Sequence, residues 1–219
     1  MSLQNKFDTC IFDLDGTLTD TLEDLKNSVN YAMRAIGCPE RTADEVRRFV
    51  GNGVYKLIER SIDKKASEAD FQKALDAFKE HYMLHLNDNT APYSGISELL
   101  EQLNAMNVKC AVVSNKDDDA VKSIVKGFFG NLISFSQGRK DSVPPKPSPQ
   151  AVFEIMKKLG SEKEKTVYVG DSDVDVETAH NAGLKCIGVT WGFRDRELLI
   201  KSGADYMADC PREISDIIR

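Results

Sequence analysis

The chain reads as an α/β protein: a doubly wound parallel sheet with a helical cap inserted after its first strand. Three observations predict this. From Pro92 onward, short apolar runs of strand character alternate with amphipathic helical stretches, the pattern of βαβ units. One isolated strand-like run, Cys10-Ile11-Phe12, precedes residues 18–89, where only helical periodicity is found. Carboxylates and small polar residues recur just past the strand-like runs, where open parallel sheets bind ligands.

Taken in order, Cys10-Ile11-Phe12 is short and apolar enough for a buried parallel strand. Leu22, Leu25, Val29, Met33 and Ile36 form a helical stripe that Gly37 and Pro39 end, with Thr19 or Asp20 expected as its N-cap. Residues 41–50 predict a second helix, broken by Gly51-Asn52-Gly53. Val54, Leu57, Ile58 and Ile62 mark a third, and Phe71, Leu75, Phe78 and Tyr82 a fourth. These four are expected to pack together as a cap, residues 18–89, on a core of residues 1–17 and 90–219. In that core, helices are expected around Ile96 to Met106, Val121 to Val125, Ser148 to Leu159, Val174 to Ala182, Glu197 to Lys201 and from Pro211. Strands are expected at 108–113, 132–135, 166–169, 184–189 and 206–207. Ser148-Pro149 reads as an N-cap and first-turn pair, and Gly160 and Gly183 as C-terminal stops.

Composition narrows the function. A chain of 219 residues with 41% hydrophobic and 29% charged residues has enough apolar material for one domain, or one with an insertion. Its net charge of −6 argues against nucleic acid as a partner, though a small anion can still be held where positive charge is fixed at one point. No apolar leader opens the sequence and no run approaches membrane-spanning length, so a cytoplasmic protein is expected. The five cysteines are scattered and lack a CxxC pair, which reads as small hydrophobes, neither a disulfide framework nor a zinc site.

The chemistry gathers at three strand ends. Asp13 and Asp15 stand two residues apart, so they share a face while the chain stays extended, and Gly16 lets it turn away. Two uncompensated carboxylates held together repel. Either a bound cation or a division of labour between nucleophile and acid/base relieves that. The run at 108–113 leads into Ser114-Asn115-Lys116 and Asp117-Asp118-Asp119, and the run at 166–169 into Gly170-Asp171-Ser172-Asp173-Val174-Asp175. Lys146 lies between them in a proline-rich loop. All-oxygen ligands favour Mg²⁺ over zinc. With Mg²⁺ and Lys146 present, a phosphate becomes a natural guest, held also by Ser114, the amides after it, and helix N-termini expected at Asn115 and Ser172. Ser114 fits a cap for a following helix equally well, and Asp117 to Asp119 offset that helix's dipole. Asp171-x-Asp173-x-Asp175 is no calcium loop, since Val176 stands where glycine is needed. His81 and His85 have zinc-helix spacing without the glutamate that should follow the first.

In these segments the chain resembles the haloacid dehalogenase superfamily: Asp13-Leu14-Asp15-Gly16-Thr17, Ser114-Asn115, Lys146-Pro147 and Gly170-Asp171-Ser172-x-x-Asp175. Val50-Gly51-Asn52-Gly53, His85 through Tyr93, and Ser114-Asn115-Lys116 are most similar to its phosphoglycolate phosphatase branch. Two departures are Ser94, where a second proline is usual, and Arg139-Lys140. The resemblance implies a Rossmann-like core and phosphomonoester hydrolysis with Mg²⁺ on a small phosphorylated metabolite. Asp13 is then the nucleophile and Asp15 the acid/base. Mg²⁺ is bound by Asp13, the Asp15 carbonyl and Asp171; phosphate by Ser114, Asn115 and Lys146. Asp175 and Thr17 support the site, and Gly51, Asn52 and Gly53 form a substrate loop on the cap. A monomer or weak homodimer is expected. Competing expectations are a phosphomutase of the β-phosphoglucomutase type, a pyrophosphatase or nucleotide phosphatase, and a non-enzymatic phosphate sensor.

Overall fold

The structure, a computed structural model, describes residues 5–63 and 66–219; residues 1–4, part of the opening stretch read as lacking a leader, lie outside the described residues. The first half of the chain contains β1 (Thr9–Phe12), β2 (Thr19–Asp20), α1 (Leu22–Ala35), α2 (Ala43–Phe49), α3 (Gly53–Ser61), α4 (Glu68–His85) and β3 (Ala91–Pro92). Next come α5 (Ile96–Ala105), β4 (Lys109–Asp117), α6 (Asp118–Phe128), β5 (Phe135–Arg139) and α7 (Gln150–Leu159). The chain finishes with β6 (Thr166–Gly170), α8 (Asp173–Ala182), β7 (Lys185–Val189), α9 (Arg196–Ser202), β8 (Tyr206–Ala208) and α10 (Pro211–Ile218).

Six strands form one parallel sheet in the order β5-β4-β1-β6-β7-β8. The chain builds outward from β1 through β4 to β5, then returns to β6 on the other side of β1. That reversal leaves a crevice at the carboxyl ends of β1 and β6, the position where doubly wound sheets bind ligands. Side chains alternate across the sheet as the strand period requires. Cys10 and Phe12 enter the apolar cluster shared with α5, α6 and α10, while Ile11 enters the one shared with α7, α8 and α9. The sheet is an α/β core covered on both faces.

Helices α1 to α4 lie between β1 and the rest of the core. Leu25, Val29 and Met33 of α1 meet Phe71, Leu75 and Phe78 of α4 in one apolar cluster, and capping boxes at Thr42 and Ser67 start α2 and α4. Where the chain leaves and re-enters the core, Thr19 and Asp20 pair antiparallel with Pro92 and Ala91. Beside this pair, the buried Asp24 carboxylate accepts from the Asn89 and Thr90 amides, Asn89 Nδ2 and Thr90 Oγ1 at 2.8–3.0 Å.

Several local expectations need correction. Thr19 and Asp20 are strand residues; Thr21 is the N-cap of α1, although Asp20 Oδ1 does accept the Leu22 N–H. The strand expected at 132–135 is the polar run Phe135–Arg139. As an edge strand of the sheet it needs no continuous apolar sequence, whereas Gly130–Leu132 is a turn of 3₁₀ helix. Strand β4 continues through Ser114 to Asp117, with a register shift against β5. So α6 does not begin at Asn115, and Ser114 caps no helix. Helix α7 starts one residue later than expected, with Pro149 as its N-cap, while Ser148 Oγ accepts from the Gln150 N–H. His81 contacts Ser28 Oγ and the rings of Tyr31 and His85. All five cysteines are free, with Cys10, Cys110 and Cys186 buried in strands. No helix among the described residues is long and apolar enough to cross a membrane.

Candidate active site

The site grows from the end of β1. The Asp13 N–H still donates to Val169 O (2.9 Å), which extends the pairing with β6 by one residue. The chain then folds back, with Leu14 O accepting from the amides of Leu18 and Thr19, and Gly16 at φ +86°. A Cβ on Gly16 would collide with the Asp171 carboxylate, so the turn and the approach of the two loops both need glycine there.

This turn sends the two acids to different partners. Asp13 Oδ1 lies 2.8 Å from Lys146 Nζ and also accepts the Leu14 N–H. The Asp15 carboxylate accepts from Thr21 Oγ1 (2.8 Å) and from Lys116 Nζ at both oxygens (2.7 and 2.8 Å). The two carboxylates, close in sequence, therefore face different cations.

The end of β6 supplies the rest. Thr17 Oγ1 and the Phe193 N–H each donate to one oxygen of Asp171, at 2.9 and 2.8 Å. Asp175, fully buried in the first turn of α8, accepts from Lys146 Nζ (2.7 Å), Ser172 Oγ (2.6 Å) and the Ser172 N–H. Lys146 is itself buried and bridges Asp13 and Asp175. Burial opposes its charge, but those two carboxylates more than compensate and keep its pKa well above the ordinary lysine value.

Asp13, Asp171 and Asp175 each present an oxygen within 4.8 Å of the others. Burial, then repulsion from Asp175, pushes the Asp13 carboxyl upward despite Lys146. The same two causes push Asp171 up to about 7, against the hydrogen bonds from Phe193 and Thr17. Three buried carboxylates facing one ammonium leave negative charge uncompensated. A hard, oxygen-preferring divalent cation fits this donor set.

Other expected residues take distinct places. Ser114 Oγ accepts the Lys116 N–H (3.3 Å) at the cavity wall. Asn115 is a tie more than an open donor: its side chain exchanges hydrogen bonds with the Lys146 backbone and donates to Gly51 O (3.0 Å) in the helical unit. Gly51 and Gly53 line the cavity, Gly53 with φ +83° and packed against Asn115 O, whereas Asn52 Oδ1 faces Arg60. The cavity, about 310 Å³, runs from Asp13, Asp15 and Asp171 up to Leu25, Val54, Leu57, Phe78 and Met83.

Four contributors carry little or no local mark in the sequence. Lys116 was seen only as part of a motif, yet it is the partner of Asp15. Thr21 was hidden in the approach to a helix. Trp191 Nε1 donates to Thr17 O (3.0 Å), fixing the turn. Arg194 donates to the carbonyls of Arg47, Arg48 and Val50 at 2.6–3.4 Å, joining the core to the end of α2. The last two have no motif around them; their partners are more than 140 residues away in sequence.

The sequence pattern of haloacid dehalogenase-like hydrolases matches residues 10–189. The chain belongs to that family. Within this hydrolase family it is 34% identical over 188 residues to the phosphoglycolate phosphatase of Aquifex aeolicus, 84% of either chain. It is 30% identical over 215 residues to that of Haemophilus influenzae, 94% of this chain and 96% of the relative. The crystal structure of a predicted phosphoglycolate phosphatase from Haemophilus somnus superposes with a TM-score of 0.91 at 30% identity, covering 98% of this chain and 99% of that one. As a haloacid dehalogenase-like hydrolase, the chain is a phosphatase, and its acidic cluster lies in the crevice where the fold binds ligands.

Proposed function

We propose that the chain is a Mg²⁺-dependent phosphomonoester hydrolase of a small metabolite, of the type its relatives are named for, with 2-phosphoglycolate the first substrate to test. The observation that carries this reading is the buried set of Asp13, Asp171 and Asp175 around Lys146, with Asp15 held separately beside it.

Asp13 attacks phosphorus; the P–O bond to the leaving alcohol breaks and an aspartyl-phosphate forms. Asp15 gives its proton to the departing oxygen, then takes one from the water that hydrolyses the acyl phosphate, releasing inorganic phosphate and restoring Asp13. Lys146 and Ser114 hold phosphate oxygens, and Asp175 and Thr17 hold Lys146 and Asp171 in position. Asp13, Asp171 and the Asp15 carbonyl would hold Mg²⁺, which would supply positive charge against that developing on the transferred group. Residues 18–89 act as a cap closing over the core of residues 1–17 and 90–219, with Gly51-Asn52-Gly53 as the loop that meets the substrate.

The test is phosphate release from 2-phosphoglycolate, sugar phosphates, nucleoside monophosphates, pyrophosphate and p-nitrophenyl phosphate. Wild type and Asp13→Asn are compared with and without Mg²⁺. Turnover that needs Mg²⁺ and falls by at least about 10³-fold in the variant is expected. Conversion of a hexose 1-phosphate to its isomer without free phosphate would replace this reading with a mutase.

A further inference from the structure

Tyr82, on α4, lines the same cavity as Asp13 and Asp15. Its ring stacks on Phe78, 5.4 Å between centroids, and the residue is 5% exposed. Among the described residues, its hydroxyl is the one buried side-chain polar atom that makes no well-aligned hydrogen bond; the Lys116 ammonium stands beside it, but as a donor only, so its own proton has no acceptor. Lys116 Nζ lies 4.8 Å from the ring centroid, while two of its donor directions are spent on the Asp15 oxygens.

A buried hydroxyl whose proton has no acceptor is unfavourable, and phenylalanine would fill the same space without that cost. Leu25, Leu57, Phe78 and Met83 of the cavity wall are apolar, and the Asp15 carboxylate is already engaged by Lys116 and Thr21. An acceptor must therefore arrive with the ligand. The Lys116 ammonium, bonded to Asp15 and turned toward the Tyr82 hydroxyl, brings its positive charge to that same place.

We infer that Tyr82 is a specificity residue, whose hydroxyl donates to an oxygen on the leaving group that the Lys116 ammonium also faces. This rests on the phosphatase reading above, in which Asp15 touches the ester oxygen. Because Lys116 is in contact with Asp15 and lies against Tyr82, the recognised oxygen sits within about two carbons of the ester oxygen. Two chemistries supply it: the carboxylate of a 2-hydroxy acid, or the hydroxyl of a short polyol.

Three phosphate esters with two-carbon leaving groups separate these cases: 2-phosphoglycolate, 2-hydroxyethyl phosphate and ethyl phosphate. Their kcat/KM values are compared in wild type and Tyr82→Phe, each with Mg²⁺. Wild type is expected to prefer at least one oxygenated ester over ethyl phosphate, and Tyr82→Phe to lower that preference roughly tenfold. Comparing ratios between the two proteins cancels the intrinsic reactivities of the esters, and the ester whose advantage falls names the chemistry recognised. Lys116 keeps both of its bonds to Asp15 in the variant, so an unchanged melting temperature is expected and a purely structural role would leave the ratios unmoved. An unchanged preference in Tyr82→Phe, or ethyl phosphate turned over as well as the others by wild type, overturns the inference. p-Nitrophenyl phosphate turnover that Asp13→Asn abolishes would leave the phosphatase reading standing in that event. If no ester is hydrolysed at all, both fall together.

Discussion

At the floor of the site, every acid is tied at least twice by groups of the core itself: Asp171 by Thr17 and Phe193, Asp175 by Ser172 and Lys146, Asp13 by Lys146 and Leu14. At the roof, the helical unit meets the core through side chains that donate to backbone carbonyls: Arg194 to Arg47, Arg48 and Val50, and Asn115 to Gly51. The floor joins buried charges, which water cannot replace without large cost. The roof joins partly exposed groups to neutral acceptors, which water can replace at little cost. One region is held by paired charges and the other by replaceable neutral contacts, the contrast that the proposed closing of residues 18–89 over the core would need.

The strongest way to break this contrast is at Lys146. Lys146→Met leaves Asp13 and Asp175 buried and facing each other without their common partner. Removing one member of a buried charge set costs about 3–5 kcal/mol, and phosphate release is expected to fall at least about 100-fold with the lost charge. Thermal or urea unfolding and turnover on p-nitrophenyl phosphate measure the two effects. Melting and turnover both close to wild type would mean that charge pairing does not hold the floor.

How much of this was legible follows the same division. Asp13, Asp15, Asp171 and Asp175 stand at strand ends and Lys146 in a proline-rich loop, so spacing and residue type mark them as candidates, whereas Thr17 enters only through the family resemblance. Contacts that cross from core to helices leave no local mark. Asp24 reads as an acid in the first turn of a helix, and only the fold brings Asn89 and Thr90 to it. From the sequence a helix start is expected at Asn115, with Ser114 an equal candidate for its cap or for phosphate. The strand runs on instead, because β5 lies alongside and pairs as far as Asp117 with Arg139.

The roof is tested at Arg194. Arg194→Ala removes the donors to the carbonyls of Arg47, Arg48 and Val50, so the proposed closed arrangement should lose occupancy. KM is expected to rise roughly tenfold for every substrate, with a smaller change in kcat. Amide hydrogen exchange at residues 50–54 should quicken while exchange in β1 and β6 stays as it was. Arg194→Lys, which keeps the charge and loses the fork, should fall between the two. Equal acceleration in the sheet would show that Arg194 supports the whole molecule and has no special hold on the roof.

The smallest effect is expected at Asp24, where roof and floor share their two chain crossings. Burial acts to raise its carboxyl, but the donors from Asn89 and Thr90 outweigh burial and hold it below the usual carboxylate range. The unfolded chain therefore takes up the proton first as the pH falls. This contribution to stability is complete above the unfolded carboxylate pKa of about 3.9 and is lost as the pH drops through the lower folded value. Asp24→Asn keeps the shape but sets an amide donor against donors already present, and should cost about 1–3 kcal/mol at pH 7. Urea unfolding of both proteins from pH 7 to pH 3 should show the gap holding to about pH 4 and narrowing below it. A gap that is the same at every pH would mean that the hydrogen bonds matter through geometry alone. A gap that widens in acid would place the depressed carboxylate elsewhere.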